Sequence, residues 1–497
     1  MYHIRTTKTS SSATAVQVVK YENRKLIIAA HIGSAHDKEE LIVLKKAASS
    51  WIEKASKQQS LFLATEQKRS KFALLENCQY LGIRHYFVYE IITQIFARFS
   101  FHTLESLLTD LVLMRIIEPA SKLYSVELLD ELFGIKYSRR DFYRHLPTFG
   151  ENKDKVTGKT LSFAKKEFNF DFSLVFYDVT SLYFESFQSD DLRKPGFSKD
   201  GKSQQPQILI GLVVNSDGFP LAYEIFEGNK FEGHTLIPVI SKFKNKHKID
   251  KLTVVADAAM ISFKNIEALK ANDLSYIVGA RMASLPRKLV SDISSQLNCQ
   301  DGTSIRVKTE CGNLVCDFSE KRYRKDKNEM EKQLKKAENL LLNPAIAKRT
   351  KFVKNKDKTS FELNTELVER SRSLLGIKGY YTNLPEDISN STVIKQYHNL
   401  WHVELSFRIA KSDLQIRPIY HFKKQSIETH VLICFMALAV CKYMELKTGK
   451  STKQIVRILK SVTDARILNT LTEEEIIMRS EITESVREVL SKLNLPY

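Results

Sequence analysis

The segment between residues 171 and 281 constrains the fold most, because strand-like and helix-like stretches alternate there in a fixed order. It begins with FSLVFYDVTSLYF, which is rich in the β-branched and aromatic residues typical of strands. Two more strands, QILIGLVVN and FPLAYEIFEG, flank a turn at 216–218. HTLIPVISKFKNKH and SFKNIEALKAND are typical of helices, and KLTVVADAAM and LSYIVGAR of strands. The order β-β-β-α-β-α-β predicts an α/β fold, with helices packed on a mixed sheet.

Two acids stand where strands of this sheet are predicted to end. Asp178 follows LVFY, and Asp257 follows LTVVA. An unpaired carboxylate beside a core is costly, so each acid is either a turn cap or part of a reaction site. Two such acids in one sheet, with a third on a helix, favour a reaction site. Their separation, 257 − 178 = 79 residues, holds the elements with which a ribonuclease-H-like sheet brings its first and fourth strands together.

The third acid lies in IKQYHNLWHVELSFRIAK, residues 394–411, which has the pattern of an amphipathic helix. At about 100° per residue, steps of three, four and seven place seven side chains on one face. These are Tyr397, Leu400, Trp401, Glu404, Phe407, Arg408 and Lys411. Docked against the sheet edge, this face is expected to aim Glu404 at the two aspartates. It leaves Tyr397, Arg408 and Lys411 where a phosphate backbone could pass.

Three carboxylates in one place repel one another and favour divalent cations. Hard oxygen ligands suit Mg²⁺ or Mn²⁺, and two such ions can clamp the attacking and leaving oxygens of an in-line phosphoryl displacement. We therefore predict that Asp178, Asp257 and Glu404 are catalytic and bind two ions per active site.

The charge of the chain indicates an anionic partner. The formal net charge is +18 and the pI is near 9.3, for which nucleic acid is the commonest partner. KYSRRDFYRHL, capped by Ser138, has the pattern of either the recognition helix of a helix-turn-helix unit or a solvated basic helix. The loop 193–206 either contacts DNA or is solvated. The candidate DNA contacts outside the helix predicted at 394–411 are Arg139, Arg140, Arg144, Lys199, Lys202 and Arg417.

Changes of pattern along the chain predict five regions. A polar hairpin, SIRVKTECGNLVCDFS with its turn at Gly312–Asn313, and a charged helix interrupt the apolar pattern, which resumes at KGYYTNLP. Residues 1–155 are predicted to be helical and DNA-binding, with a small β-hairpin at 13–32. The catalytic domain is predicted to comprise 156–285 and 376–445, separated by a β-rich insertion at 286–375. Residues 446–497 are predicted to form a helical tail suited to dimerisation.

Cysteine usage and hydropathy indicate a reduced, intracellular protein. Six cysteines in 497 residues do not form a disulfide framework, and the first residues contain no apolar run of signal-peptide length. The most apolar stretch, VLICFMALAVCKYM at 431–444, is predicted to be a buried helix too short to span a bilayer.

Four stretches together carry a resemblance to a known family. FYDVTSLYFES, KDGKSQQPQILIGLVVNSDGFPLAYEIFEGN, VVADAAM and YHNLWHVELSFRIAKSDLQIRPIYH resemble the DDE transposases of prokaryotic insertion sequences. The resemblance is to the branch with a Tyr-x2-Arg-x3-Glu-x6-Lys signature. Tyr397, Glu404 and Lys411 occupy signature positions, whereas Leu400 stands at the arginine position. Arg408, one turn beyond Glu404, could replace that contact.

The resemblance implies a ribonuclease-H-like catalytic domain with a β-rich insertion, cut-and-paste transposition, and a homodimer that pairs two transposon ends. Water attacks the phosphodiester at the transposon end and releases a 3′-hydroxyl. That hydroxyl then attacks the opposite strand, if a DNA hairpin forms, and finally target DNA. Lys411 and Tyr397 would position phosphates, and an aromatic residue of the insertion can hold a flipped base. The implied location is the prokaryotic cytoplasm, in association with the nucleoid.

Three other functions remain open from the sequence. A ribonuclease-H-like nuclease or junction resolvase would share the acids but would not need the basic signature face or the insertion. A DNA-binding protein derived from a transposase without catalysis predicts a substituted acid, whereas all three are present. A glycosidase with paired carboxylates fits the strong basicity poorly.

Overall fold

A computed structural model describes ten stretches of the chain, which divide into two units. The described residues are 2–10, 13–22, 25–56, 77–198, 201–202, 204–260, 262–342, 350–355, 361–470 and 472–496. The first unit comprises Met1–Ile91, Glu127–Lys136 and Val456–Tyr497, and the second comprises Ile92–Val126 and Tyr137–Ile455. All three predicted acids belong to the second unit.

The chain begins with a small sheet and a helix of the first unit. The elements are β1 (Tyr2–Lys8), β2 (Thr14–Glu22), β3 (Lys25–Ala35) and α1 (Lys38–Ser56). The hairpin predicted at 13–32 is confirmed as β2 and β3, and β1 adds a third antiparallel strand. Helix α1 starts at a capping box, in which Asp37 accepts from the Glu40 amide (2.8 Å) and Glu40 accepts from the His36 amide (2.6 Å).

The next stretch is mainly helical, as predicted. Its elements are β4 (Cys78–Arg84), α2 (Tyr86–Arg98), α3 (Ser106–Ile117), α4 (Lys122–Phe133), α5 (Arg139–His145) and α6 (Lys153–Phe168). Helix α5 begins at the predicted cap, where the Ser138 hydroxyl oxygen accepts from the Asp141 amide over 3.0 Å.

The predicted β-β-β-α-β-α-β order is confirmed in the second unit. The elements are β5 (Leu174–Tyr183), the two-residue β6 (Lys194–Pro195), β7 (Pro206–Val214), β8 (Pro220–Glu227), α7 (Leu236–His247), β9 (Thr253–Ala256), α8 (Phe263–Ala271) and β10 (Ser275–Gly279). Strand β5 pairs antiparallel with β7 and parallel with β9, β7 pairs antiparallel with β8, and β9 pairs parallel with β10. With β6 set aside, the first and fourth strands lie side by side.

Asp178 does not end its strand, contrary to the prediction. Strand β5 continues to Tyr183 because β7 stays paired with it, from Asp178↔Leu212 to Tyr183↔Gln207. Only the pairing with β9 stops before the acid, at Tyr177↔Ala256.

Residues 287–382 contribute both to this sheet and to a separate core. The elements are α9 (Arg287–Leu297), β11 (Ser304–Thr309), β12 (Gly312–Phe318), α10 (Glu320–Leu342), β13 (Val353–Asn355), β14 (Phe361–Leu363), α11 (Thr365–Ser373) and β15 (Ile377–Thr382). Strand β15 pairs with both β10 and β12, so the hairpin β11–β12 extends the sheet to nine strands among the described residues. Side chains of α10 and α11 surround a smaller core that contains Met330, Phe352 and Val368.

The turn of that hairpin lies two residues earlier than predicted. Gly312 already pairs with Thr309, so Glu310 and Cys311 form the turn instead of Gly312–Asn313.

The remaining elements are α12 (Asn390–His398), α13 (Trp401–Arg408), α14 (Lys424–Thr448), α15 (Thr452–Lys460), β16 (Asp464–Asn469), β17 (Glu474–Arg479) and α16 (Glu484–Lys492). The tail predicted to be helical therefore also contains a hairpin. Strand β16 forms because β4, nearly 400 residues earlier in the chain, offers it an antiparallel partner.

Helix α14 is longer than the apolar stretch that predicted it. Within the described part of the chain it is the one helix that could cross a membrane by length and composition, with 25 residues. Of its most apolar window, 94% is buried inside the protein. Its burial, rather than its length, identifies it as a core helix.

Candidate active site

Asp178 and Asp257 occupy neighbouring positions on neighbouring parallel strands. Tyr177 of β5 is in register with Ala256, the last residue of β9, and the residue that follows each of them in the chain is the acid. Neighbouring strands lie roughly 4.8 Å apart, so the two side chains start from one row of the sheet. The alternation of apolar strands and terminal acids in the sequence predicted this proximity.

Each aspartate is oriented by a backbone amide, and Asp257 also by a side chain. Asp178 Oδ1 accepts from the Val179 amide (2.7 Å), and Asp257 Oδ1 accepts from the Ala258 amide (2.7 Å). The Tyr397 hydroxyl donates to the same Asp257 oxygen over 3.1 Å. Burial and then the charge of Asp257 raise the pKa of Tyr397, so the hydroxyl keeps its proton for this bond.

Gly279 provides the space that the Tyr397 hydroxyl occupies. The residue before it, Val278, pairs with Ala256, so Gly279 lies beside Asp257 in the same row. A Cβ atom at Gly279 would lie 2.4 Å from the Tyr397 hydroxyl oxygen, closer than any van der Waals contact allows. Sequence reasoning missed this residue, since its only signal was a glycine at the end of a strand.

The helix predicted at 394–411 is interrupted. Helix α12 ends at His398, α13 begins at Trp401, and residues Ile409–Asp413 form a π-helical turn. The predicted common face is also divided between solvent and core. Trp401, Glu404 and Arg408 are exposed, whereas Tyr397, Leu400 and Phe407 are buried, with at most 8% of each side chain accessible.

Helix α13 carries Glu404 and packs against β5 and β7. Two turns further along, the half-buried Lys411 lines a small cavity together with Thr180, Leu212 and Phe407. Thr180 lies two residues beyond Asp178 and therefore faces the same side of β5. The helix thus places Lys411 beside the strand that bears the first acid.

The three acids do not form one compact group in this structure. Among the described residues, no three His, Cys, Asp or Glu side chains are arranged to hold a metal ion together. The structure brings Asp178 and Asp257 together and leaves Glu404 exposed on α13, short of the convergence expected from the sequence. As a donor set, three carboxylates still fit a hard divalent cation.

Two of the predicted basic contacts meet around one aromatic ring. Lys202 Nζ lies 5.2 Å and Arg417 Cζ 5.7 Å from the centre of the Tyr183 ring, at the end of β5. A bridge between Phe184 and Ile419 joins the end of β5 to the segment that carries Arg417. These distances are typical of cation–π contacts.

The other predicted DNA contacts outside the 394–411 segment lie on helix α5 or are not among the described residues. Arg139, Arg140 and Arg144 are exposed on α5, where Arg144 lies 3.8 Å from Asp141. Lys199 lies outside the described residues.

One basic residue near the acids was missed by sequence reasoning. Lys378 of β15 has its ammonium 4.7 Å from the centre of the Tyr397 ring. No motif marks this lysine in the sequence, since its position depends on the pairing of β15 with β10 and β12.

Comparisons with known proteins identify relatives of the chain. The family described as Transposase DDE domain matches residues 169–440, more than half of the chain. The transposase for insertion sequence element IS231B of Bacillus thuringiensis subsp. berliner is 32% identical over 83 residues. That match spans 16% of this chain and 17% of the relative. A cryo-EM structure of a piggyBac transposase synaptic complex with hairpin DNA aligns with a TM-score of 0.38 at 10% identity, covering 83% of this chain and 75% of that one.

Proposed function

The chain belongs to the DDE transposase family, and from that membership we propose that it catalyses cut-and-paste DNA transposition. The observation that carries the proposal is the adjacency of Asp178 and Asp257 on paired parallel strands, with the Glu404 helix packed on the strand of Asp178. The reaction is cleavage at the transposon ends followed by strand transfer into target DNA.

The proposed metal ligands are the three carboxylates. DDE transposases generally use divalent metal ions, and carboxylate oxygens suit Mg²⁺ or Mn²⁺. We propose two ions, held by Asp178, Asp257 and Glu404. When bound, such ions lower the pKa of water and stabilise charge on the attacking and leaving oxygens.

The side chains around the acids have separate tasks in this proposal. Tyr397 holds the Asp257 carboxylate in one orientation through its 3.1 Å hydrogen bond. Arg408 and Lys411 contact phosphates, Arg408 from the exposed face of α13 and Lys411 from beside β5. Lys202 and Arg417 extend the DNA path past Tyr183. Lys199, outside the described residues, is proposed as a further DNA contact. Arg139, Arg140 and Arg144 contact DNA from α5.

Each chemical step exchanges one bond to phosphorus for another. In the first step the oxygen of water bonds to the phosphorus at the transposon end, and the bond to the 3′-oxygen breaks, which leaves a 3′-hydroxyl. That hydroxyl next attacks a phosphodiester of target DNA and displaces its 3′-oxygen. A hairpin intermediate would insert the same exchange on the opposite strand.

The same proposal covers the architecture and the setting. The strand order, in which β8, β7, β5, β9 and β10 are successive neighbours, supports a ribonuclease-H-like catalytic domain. We propose that residues 156–285 and 376–445 form this domain, that 286–375 are an insertion, that 1–155 bind DNA, and that 446–497 support a homodimer. The substrates are double-stranded transposon ends and target DNA, in the prokaryotic cytoplasm at the nucleoid.

The decisive experiment is strand transfer of a labelled transposon-end duplex in the presence of Mg²⁺. We expect Asp178→Ala, Asp257→Ala and Glu404→Ala each to abolish cleavage and transfer, while Asp292→Ala, at an exposed acid of α9, retains both. Full activity in all three acid variants would overturn the proposal. Cleavage without transfer would identify a nuclease or resolvase, and DNA binding without cleavage a catalytically inactive derivative.

A further inference from the structure

Lys378 lies near the start of β15, an inner strand of the sheet that carries the acids. It is two residues from Tyr380, which pairs with Gly279 of the acid row. Side chains two residues apart on a strand share a face, so Lys378 and Tyr380 face the same side. The Lys378 ammonium lies 4.7 Å from the centre of the Tyr397 ring and 5.9 Å from that of Tyr380. The Tyr397 hydroxyl in turn donates a hydrogen bond to Asp257, so Lys378 and Asp257 both contact the Tyr397 side chain.

The charge of Lys378 is not neutralised by an ion pair in the described part of the chain. Asp317 stands directly opposite it on β12, but the Asp317 carboxylate pairs with Arg322 over 3.3 Å. Among the described residues no carboxylate oxygen lies within 4.0 Å of the Lys378 ammonium. A half-buried cation without a paired anion is costly, and this arrangement calls for an anion from outside the chain.

The electrostatic surroundings place the Lys378 ammonium near the catalytic acids. Burial lowers the pKa of Lys378, and nearby Arg322 lowers it further, whereas the charges of Asp257, Asp317 and Glu404 raise it. Two of the three predicted catalytic acids therefore act on this ammonium. A phosphate held by Lys378 would therefore lie beside the catalytic site.

We propose that Lys378 is a phosphate-binding residue for the DNA strand that passes the Asp257 edge of the site. The inference rests on the proposed function, since DNA supplies the phosphate. An ammonium is a compact point charge suited to phosphate, and the Tyr397 and Tyr380 rings fix its position. The competing role, in which Lys378 only packs on Tyr397, makes no contact with DNA.

The dependence of DNA affinity on salt separates the two roles. The full-length protein is titrated with a labelled duplex that carries the terminal repeat of its element, between about 50 and 200 mM salt. Loss of one phosphate contact reduces the slope of log K against log salt by about 0.9. We expect this reduction for Lys378→Met and an unchanged slope for Lys378→Arg, which retains the charge.

The control is Lys242→Met on α7, because Lys242 is already paired with Glu224 at 2.6 Å; its slope should match the wild type. If Lys378→Met lowers the midpoint of thermal unfolding, Lys378→Gln is titrated instead and judged by the same slope. An unchanged slope in the neutral variants, with the wild type binding normally, would overturn the inference and leave the proposed function standing. A wild-type protein that does not bind the duplex would overturn both.

Discussion

The Tyr397 hydroxyl donates a hydrogen bond to Asp257 Oδ1 over 3.1 Å and so ties helix α12 to the end of strand β9. The sequence predicted that Tyr397 positions a phosphate. Only 4% of its surface is accessible, and its hydroxyl is directed at the acid. Its contribution to catalysis should therefore pass through Asp257.

Tyr397→Phe removes this bond and little else. A hydrogen bond to a charged group contributes about 1.5 kcal/mol, so we expect about a tenfold loss in cleavage rate. The salt dependence of DNA binding should not change, because the hydroxyl makes no phosphate contact. Strand cleavage and salt titrations measure the two effects, with the exposed Tyr420→Phe as control. A reduced salt slope would instead show that Tyr397 contacts DNA.

Gly279→Ala should crowd the same hydroxyl. The new methyl group would lie 2.4 Å from the Tyr397 oxygen and 3.0 Å from the Ala258 amide nitrogen. We expect the free energy of unfolding to fall by about 1–3 kcal/mol. Chemical denaturation measures this change.

A double mutant tests the cause of that loss. In a Tyr397→Phe background, Gly279→Ala should lower the free energy of unfolding by less, because only the contact with Ala258 remains crowded. We expect a coupling energy between the two substitutions of at least about 0.5 kcal/mol. Strictly additive penalties would contradict the steric explanation. The control is Gly158→Ala in helix α6, where a methyl group meets nothing within 4 Å; there we expect stabilisation by about 1 kcal/mol.

Arg408, rather than residue 400, should supply the arginine contact of the signature. Leu400 is 6% accessible, so Leu400→Arg would bury a charge and lower the free energy of unfolding by about 2–3 kcal/mol. Its DNA affinity should not rise. Arg408→Ala should keep its stability and reduce the salt slope of DNA binding by about 0.9. The reverse outcome, tighter binding by Leu400→Arg, would refute this assignment.

A buried cluster of one lysine and two histidines lies beside the segment that carries Arg417. Lys122 Nζ lies 2.9 Å from His421 Nε2 and 2.6 Å from His430 Nδ1. The other ring nitrogen of His430 lies 2.8 Å from the Ile416 carbonyl oxygen, so it must donate and Nδ1 must accept from Lys122. Burial, followed by the charge of Lys122, lowers the pKa of His421 to about 3.

This shift predicts how stability depends on pH. The unfolded chain binds a proton at His421 near pH 6.5, whereas the folded chain does not until about pH 3. The stabilisation is therefore complete above about pH 6.5 and is lost as the pH falls towards 3. We expect the free energy of unfolding to fall between pH 7 and pH 5, and less steeply in His421→Asn. The control is His31→Asn, at an exposed histidine of β3, whose free energy of unfolding should depend on pH as in the wild type. An equally steep dependence in His421→Asn would show that His421 is not its source.

The sequence predicted the elements whose signals are local. Apart from the two-residue β6, each strand from β5 to β10 is an apolar run between turn residues, and Asp257 directly follows one of them. The true end of β5 was missed because β7 fixes it. Gly279 and Lys378 acquire their surroundings from β15, about a hundred residues beyond Gly279, and no local pattern encodes such a pairing. The helix pattern at 394–411 predicted that Glu404 points at the two aspartates, whereas Glu404 is exposed, and it did not reveal the interruption before Trp401.

Asp178 and Asp257 differ in how firmly the backbone holds them. Asp178 lies within a strand that remains paired with β7 on both sides of it, whereas the chain leaves the ladder at Asp257, immediately after Ala256. Hydrolysis uses water as the nucleophile and strand transfer uses a 3′-hydroxyl, and in both reactions the nucleophile attacks a phosphodiester phosphorus. The strand ladder thus fixes Asp178 during both reactions, whereas the orientation of Asp257 depends on its hydrogen bonds to the Tyr397 hydroxyl and the Ala258 amide.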